Sequence, residues 1–179
     1  MGTVPSFRTW VAGEIVTAAF MNANVRDAGN FMIGHPIAEL RQATLQSVPN
    51  NAFTAVTMDA SDIDSDGGHS NVTNNSRYTG KTPGWFQFSG MASIAISAVN
   101  ARAVGWFKNG AIVTGSGGDF KPAGGGQVNW QVARTKFIQL NGTTDFVELV
   151  VFQNSGGALN TVVGAGGDPS GMSVLWVHS

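Results

Sequence analysis

The chain has 179 residues, a net charge of −1 and charged side chains at only 12% of its positions. This length suits one domain with a hydrophobic core and an appendage, and the balanced charge argues against nucleic acid or an anionic membrane as a partner. The sequence contains no cysteine, which excludes disulfide bridges, cysteine-ligated zinc and thiol catalysis. Its longest apolar runs are far too short for membrane insertion.

Residues 1–45 carry the helical signals. Thr17 is placed to cap a helix, and the Gly-His-Pro sequence that begins at residue 34 ends it. Pro36 is favoured at the first position of a helix, so a second short helix is predicted over PIAELRQAT, residues 36–44. Neither helix is long or apolar enough to form a domain. We therefore predict a helical or irregular N-terminal arm over residues 1–45 that packs on another surface.

From about Val48 the pattern changes to short strands separated by glycine-rich turns. The segment GWFQFSGMASIAIS alternates and places Phe86 and Phe88 on one face. Asn109-Gly110 predicts a tight hairpin, because both residues readily take the positive φ that such a turn needs. Many short strands in succession are typical of an all-β sandwich or jelly roll. We predict this domain over residues 46–179.

Four segments of the β region occur in a characteristic order: RYTGKTPGWFQFSGMASIAI, GWFKNG, TTDFVELVVFQNSGGA and SGMSVLWVHS. Their order and spacing resemble those of the C1q/TNF-type jelly roll over about residues 46–179. The resemblance implies an all-β, C1q/TNF-like jelly-roll sandwich that assembles as a homotrimer.

The number of aromatic residues also bears on assembly, since one small sandwich cannot easily bury five Trp and eleven Phe side chains. If Phe86 and Phe88 face the core, alternation turns Trp85 and Met91 outward. The same alternation places Trp106 and Phe107 on opposite faces of their strand, and we assign Trp106 to the outside. Exposed aromatic side chains often mark an interface. We predict a trimer interface at these three residues; the alternative is that a loop or the arm covers them.

The N-terminal segment TWVAGEIVTAAFMNANVRDAGNFMIGHP follows a second pattern. It resembles a segment near the start of virion proteins of siphophages, especially those that infect actinobacteria. The matching residues are Trp10, Gly13, Glu14, Thr17, Ala18, Asn22, Arg26 and Asp27. The resemblance implies a virion location, with the arm docked on a capsid or tail protein. We expect Trp10, Phe20, Phe31 and Met32 to anchor the arm by apolar burial.

These observations lead to a structural virion protein of a bacteriophage, either a trimeric decoration protein or a minor tail or fibre component. The alternative is a receptor-binding appendage that recognises a glycan on the host surface, because polar loops beside aromatic rings suit sugar binding. Phe120 and Trp130 are the candidate glycan-binding residues. A secreted C1q-like ligand is disfavoured by the arm and by the lack of a signal-peptide pattern. No nucleophile, base and oxyanion donors assemble in the sequence, so we predict no enzyme activity.

DIDSDGGHS, residues 62–70, begins like a calcium-binding loop of the EF-hand type. The bidentate Glu that such a loop needs at its twelfth position is Thr73 here, which excludes an EF-hand. Two alternatives remain. Asp62, Asp64 and Asp66 are either turn-forming residues between strands or the carboxylates of a looser Ca²⁺ site. The turn is the favoured interpretation, and no other cofactor is expected.

Overall fold

The computed structural model describes residues 4–5, 7–120, 130–164 and 168–179. Its helical elements, in chain order, are α1 (Ala18–Met21), a π-helical turn (Asn22–Arg26) and α2 (Asp27–Ile33). Its strands are β1 (Ile37–Arg41), β2 (Ser47–Val48), β3 (Thr54–Ala55), β4 (Ala60–Asp64), β5 (Arg77–Thr79), β6 (Pro83–Ser93), β7 (Arg102–Lys108), β8 (Ala111–Ile112), β9 (Gly118–Phe120), β10 (Trp130–Asn141), β11 (Phe146–Gln153), β12 (Leu159–Asn160) and β13 (Gly171–His178). None of the helices within the described part of the chain has the length and apolar character needed to cross a membrane.

The predicted N-terminal helix is confirmed. Thr17 caps it, since its Oγ1 accepts a hydrogen bond from the Phe20 backbone N–H at 3.2 Å. The helix ends where the N–H of Gly34 bonds to the carbonyl of Asn30. Ala28 is the buried residue of α2, and it lies on the side of the helix that faces the sandwich together with Phe31.

Two antiparallel sheets pack face to face. The first has five strands in the order β10-β6-β13-β1-β4, and the second has the order β3-β11-β7-β8, with β5 also pairing with β11 and β9 with β7. A short third ladder joins β12 to β2. The predicted hairpin is confirmed between β7 and β8, where Asn109 has a φ of 52° and Gly110 a φ of 81°.

The second predicted helix is wrong. Residues 37–41 form β1, which pairs with β13 on one side and with β4 on the other. Ala38 and Leu40 are buried while Glu39 is exposed, which is the alternation of a strand. Hydrogen bonding to two neighbours and burial of two side chains outweigh the local helix signal of Pro36. The sheet therefore begins at Ile37, within the segment assigned to the arm.

The core lies between the two sheets. Phe86 and Phe88 contribute to it as predicted, since both are fully buried. The outward placement of Trp106 is wrong, because this side chain is also fully buried and its Nε1 donates to the Arg134 carbonyl at 2.8 Å. In β7 the core-facing set is Arg102, Val104 and Trp106, so the alternation places the neighbouring Phe107 outside.

Candidate functional site

The outward face of the five-stranded sheet carries a row of side chains that is apolar except for Gln87. Strand register places Phe137 opposite Gln87, Gln87 opposite Leu175, and Leu175 opposite Ile37, which puts these side chains on one face in a continuous row. Phe137 is 57% exposed and the other three are half-buried. We call this row, together with Trp85, Met91 and Val132, the outward stripe.

Two of the predicted interface residues belong to this stripe. Trp85 is 40% exposed, and Met91 is half-buried opposite Val132, which is itself 60% exposed. The sequence analysis missed Phe137 and Val132. A register shift between Ala133 and Lys136 breaks the alternation of β10, so two outward residues lie five positions apart. If the alternation in β10 is followed separately from each end of the strand, it identifies both Val132 and Phe137 as outward-facing residues.

The tip of the arm, residues 8–20, is held together by contacts between its own side chains. The guanidinium of Arg8 forms an ion pair with Glu14, and its carbon lies 4.5 Å from the ring centroid of Phe20 and 5.5 Å from that of Trp10. Gly13 turns the chain with a φ of 83°. These contacts give a physical role to several residues of the N-terminal pattern: they fold the tip.

The predicted docking residues of the arm separate into two groups. Trp10, Phe20 and Met32 are exposed. Phe31 is half-buried, and its ring forms a T-shaped pair with Trp176 of β13 at a centroid distance of 4.8 Å. Phe31 therefore attaches the arm to its own sandwich and is not free to dock elsewhere. Additional apolar side chains are exposed near the tip, namely Val11, Ile15 and Val16.

The three carboxylates of the DIDSDGGHS segment do not converge. Asp62 pairs with Arg41 at 3.1 Å. Asp64 accepts hydrogen bonds from the backbone N–H groups of Gly68 and His69, which closes the turn. Within the described residues no group of three His, Asp or Glu side chains is arranged to hold a metal ion. The hydrogen bonds support the turn interpretation, since each carboxylate serves a different structural contact.

Asp66 and His69 connect this loop to strand β5 and its flanks. Asp66 accepts a hydrogen bond from the Tyr78 hydroxyl at 2.8 Å. The ring nitrogens of His69 lie 2.8 Å from the carbonyl oxygen of Arg77 and 2.7 Å from that of Met58. Carbonyl oxygens only accept, so His69 makes both hydrogen bonds when both ring nitrogens carry a proton. These hydrogen bonds attach the loop to strand β5 and to the segment that contains Met58.

A polar cleft of about 450 Å³ lies between this loop and the turn that joins β10 to β11. Its charged and ionisable lining residues are His69, Arg77 and Lys81, and no carboxylate lines it. The remaining wall consists of glycines, one aromatic ring, and hydroxyl and amide side chains, among them Thr73, Asn74 and Thr79. No sequence signal pointed to this cleft, because its walls come from two segments that are more than sixty positions apart in the chain.

The candidate glycan-binding residues Phe120 and Trp130 are placed only by their backbones. Phe120 lies opposite Arg102 in the register of β9 with β7, and Trp130 lies opposite Ser93 in that of β10 with β6. Their side chains, and residues 121–129 between them, lie outside the described part of the chain. Glycan binding at these two residues stays a prediction.

Comparison with solved structures identifies the architecture. Murine APRIL at pH 8.5 matches with a TM-score of 0.51 and 9% identity, covering 78% of this chain and 97% of that one. Murine APRIL at pH 5.0 matches with a TM-score of 0.50 and 10% identity, covering 79% and 99%. Eiger TNF from S. frugiperda matches with a TM-score of 0.47 and 11% identity, covering 79% and 91%. The fold is a C1q/TNF-like jelly roll. No protein-family model matches the sequence, and no curated protein matches it either.

Proposed function

We propose that this protein is a structural component of a virion, in which three copies associate through the outward stripe and the arm attaches the trimer to another virion protein. The observation that carries the proposal is the outward stripe. A solvated sheet face is ordinarily polar, whereas this one presents apolar side chains across four adjacent strands. Covering such a stripe with copies of the same face removes it from water.

We propose three subunits because both the sequence pattern and the fold are C1q/TNF-like. Closed three-fold symmetry brings the five-stranded sheet of every copy toward the axis, where each copy contacts both of its neighbours. Trp85 and Met91 belong to this interface, and Trp106, which is buried in the core, does not.

Light scattering and sedimentation of the purified chain test the trimer. Phe137→Glu places a charge in the middle of the stripe and is expected to give monomers at concentrations where the unmodified chain is a trimer. Ile112→Glu is the matched control, because Ile112 is equally exposed but lies in β8 of the other sheet. A monomeric or dimeric unmodified chain, or a Phe137→Glu chain that stays trimeric, contradicts the proposal.

Attachment to the particle is proposed to use the arm tip. The exposed apolar side chains of Val11, Ile15 and Val16 project from a tip whose own charges, Arg8 and Glu14, neutralise each other. An uncharged apolar surface suits an apolar groove on a capsid or tail protein. The N-terminal pattern shared with siphophage virion proteins supports this placement.

Two measurements test the attachment. Electron microscopy of particles that carry a labelled form of the protein is expected to show the label on the capsid or the tail. The double variant Ile15→Asp, Val16→Asp is expected to remain trimeric but to be lost from particles, whereas Asn30→Asp, at an exposed polar position of the arm, is expected to be retained. Retention of the double variant contradicts docking by the tip.

A further inference from the structure

The polar cleft beside the DIDSDGGHS loop has an unusual balance of charge for a protein in which acidic and basic residues are nearly equal in number. His69, Arg77 and Lys81 line it, and no Asp or Glu does. The nearby Asp64 and Asp66 direct their oxygens to N–H and O–H groups of the loop and of strand β5. Among the described residues the wall of the cleft thus carries the cations Arg77 and Lys81 and no carboxylate, while Glu148 pairs with Arg77 from outside the wall.

Arg77 is fixed in position before any ligand binds. Its Nε donates to Glu148 at 3.2 Å, and its guanidinium carbon lies 4.0 Å from the ring centroid of Phe146. Glu148 is in turn held by the Ser76 hydroxyl at 2.7 Å. This support uses the Nε and one face of the guanidinium, and among the described residues no hydrogen bond engages its two terminal nitrogens. A guanidinium that is held in this way can donate hydrogen bonds to two oxygens of a carboxylate or phosphate.

Lys81 supplies a second cation. Among the described residues, the ion pairs involve Arg8, Arg26, Arg41, Arg77 and Lys108, and none involves Lys81. Its backbone N–H donates to Asp66 at 3.3 Å, which anchors the residue at the wall of the cleft while its side chain stays available. Ammonium and guanidinium groups both donate charge-assisted hydrogen bonds to carboxylate and phosphate oxygens.

The rest of the wall suits a ligand with many hydroxyl groups. Thr73, Thr79 and Asn74 line the cleft, and hydroxyl and amide side chains both donate and accept hydrogen bonds. The volume of about 450 Å³ is that of a typical small-ligand site. The loop that forms this wall is also held in place, because a ring nitrogen of His69 donates to a backbone carbonyl and Asp64 closes the turn.

We propose that this cleft binds an anionic saccharide, with Arg77 and Lys81 holding the carboxylate or phosphate group and the Thr and Asn side chains holding the sugar hydroxyls. The cleft is built within one copy of the chain, so the inference rests neither on the trimer nor on the virion location. It gives the glycan-binding hypothesis a site different from Phe120 and Trp130.

Titration of the full chain with four probes tests the inference: glucuronic acid, glucose 6-phosphate, glucose and inorganic phosphate. Amide chemical shifts in nuclear magnetic resonance report which residues respond, and calorimetry reports the affinity. We expect the first two probes to shift the resonances of residues 67–81 and 143–146, and glucose to shift them far less. The difference between the two anions tells whether the site prefers carboxylate or phosphate. Higher salt is expected to weaken both, since exposed charges are screened.

Lys81→Gln is the decisive variant, and Arg134→Gln is its matched control because Arg134 is an exposed cation that does not line the cleft. Lys81→Gln is expected to weaken binding of the anionic sugars at least about tenfold, and Arg134→Gln to leave it unchanged. Equal binding by the monomeric Phe137→Glu chain supports a site within one copy. Equal affinity for glucose, unchanged binding by Lys81→Gln, or inorganic phosphate binding as tightly as glucose 6-phosphate overturns the proposal.

Discussion

The rings of Phe31 and Trp176 form a T-shaped pair, with centroids 4.8 Å apart and planes at 87°. This contact joins the arm helix to the last strand of the sandwich, and Ala28 is buried one helical turn before it. The Trp176 indole is itself fixed, because its Nε1 donates to the carbonyl of Pro83 at 3.1 Å. This pair is therefore a defined attachment of the arm to its own domain, whereas Val11, Ile15 and Val16 at the tip remain exposed.

Replacement of Phe31 by Ala is expected to release the arm and leave the sandwich intact. Loss of the half-buried ring removes about 1–2 kcal/mol of apolar contact from the attachment. Hydrogen exchange is expected to accelerate over residues 18–33 and to stay unchanged in β6 and β13. Ile33→Ala is the control, because Ile33 is 87% exposed at the end of the same helix. Equal protection in both variants contradicts this role for Phe31.

Arg102 is expected to destabilise the fold. Arg102 is 1% exposed, its Nε and Nη1 have no hydrogen-bond partner among the residues whose side chains the structure describes, and burial lowers its pKa. A single hydrogen bond from Nη2 to the Ser97 carbonyl, at 2.8 Å, offsets only part of the desolvation. We expect Arg102→Met to raise the free energy of unfolding in urea by about 1–3 kcal/mol.

The exposed Arg134 provides the comparison for this experiment. Arg134→Met is expected to change the free energy of unfolding by less than about 0.5 kcal/mol, because surface substitutions seldom do more. A loss of stability in Arg102→Met would show that the guanidinium has a stabilising partner that outweighs its desolvation.

Tyr78 is the only tyrosine of the chain, so a change in phenolate absorbance with pH reports this one residue. Burial, and then the charge and hydrogen bond of Asp66 with a smaller contribution from Asp64, raise the pKa of Tyr78 far above its ordinary value. The folded chain is therefore expected to show no phenolate absorbance above about pH 10, where a free tyrosine ionises.

The raised pKa of Tyr78 also predicts how the stability of the fold changes with pH. Because the folded state keeps a proton that the unfolded state loses, the stabilisation is complete below about pH 10 and declines as the pH rises above it. Phenolate is expected to form together with unfolding, as judged by circular dichroism. Phenolate formation near pH 10 with the circular dichroism unchanged would contradict the buried hydroxyl.

Asp145 is expected to make the fold sensitive to acid. A hydrogen bond from the Asn109 side chain at 2.7 Å and an ion pair with Lys108 at 2.9 Å outweigh its burial and lower the pKa of Asp145. The unfolded state then binds the proton more readily, so the stabilisation is present above about pH 4 and is lost as the pH falls below it.

Urea unfolding of the unmodified chain and of Asp145→Asn at about pH 7 and about pH 2.5 measures this contribution. The variant is expected to be less stable near neutral pH, and the difference is expected to shrink in acid. A difference of equal size at both pH values would show that the carboxylate charge contributes nothing.

Calcium is expected to leave the melting temperature unchanged. Asp62, Asp64 and Asp66 each bond to a different group of the protein, so a cation would have to displace those contacts to gather them. Thermal unfolding with millimolar calcium and with a chelator measures this. A rise in the melting temperature with calcium that the chelator reverses would restore the Ca²⁺ site.

The sequence by itself determined the features that depend on short stretches of chain. Alternation in β6 identified Phe86 and Phe88 as core residues, Thr17 marked the start of the helix, and Asn109-Gly110 marked the hairpin. Each of these follows from the conformational preference of a few adjacent residues or from the two-residue period of a strand.

Only the tertiary structure decided which partners those stretches meet. Residues 37–41 became a strand because β13 and β4 pair with it from both sides, and Trp106 lies inside because it shares a face of β7 with Val104. The cleft with Arg77 and Lys81 arises where a loop and a distant turn come together. Local signals cannot fix such outcomes, because the burial and hydrogen bonding that decide them come from residues far away in the chain.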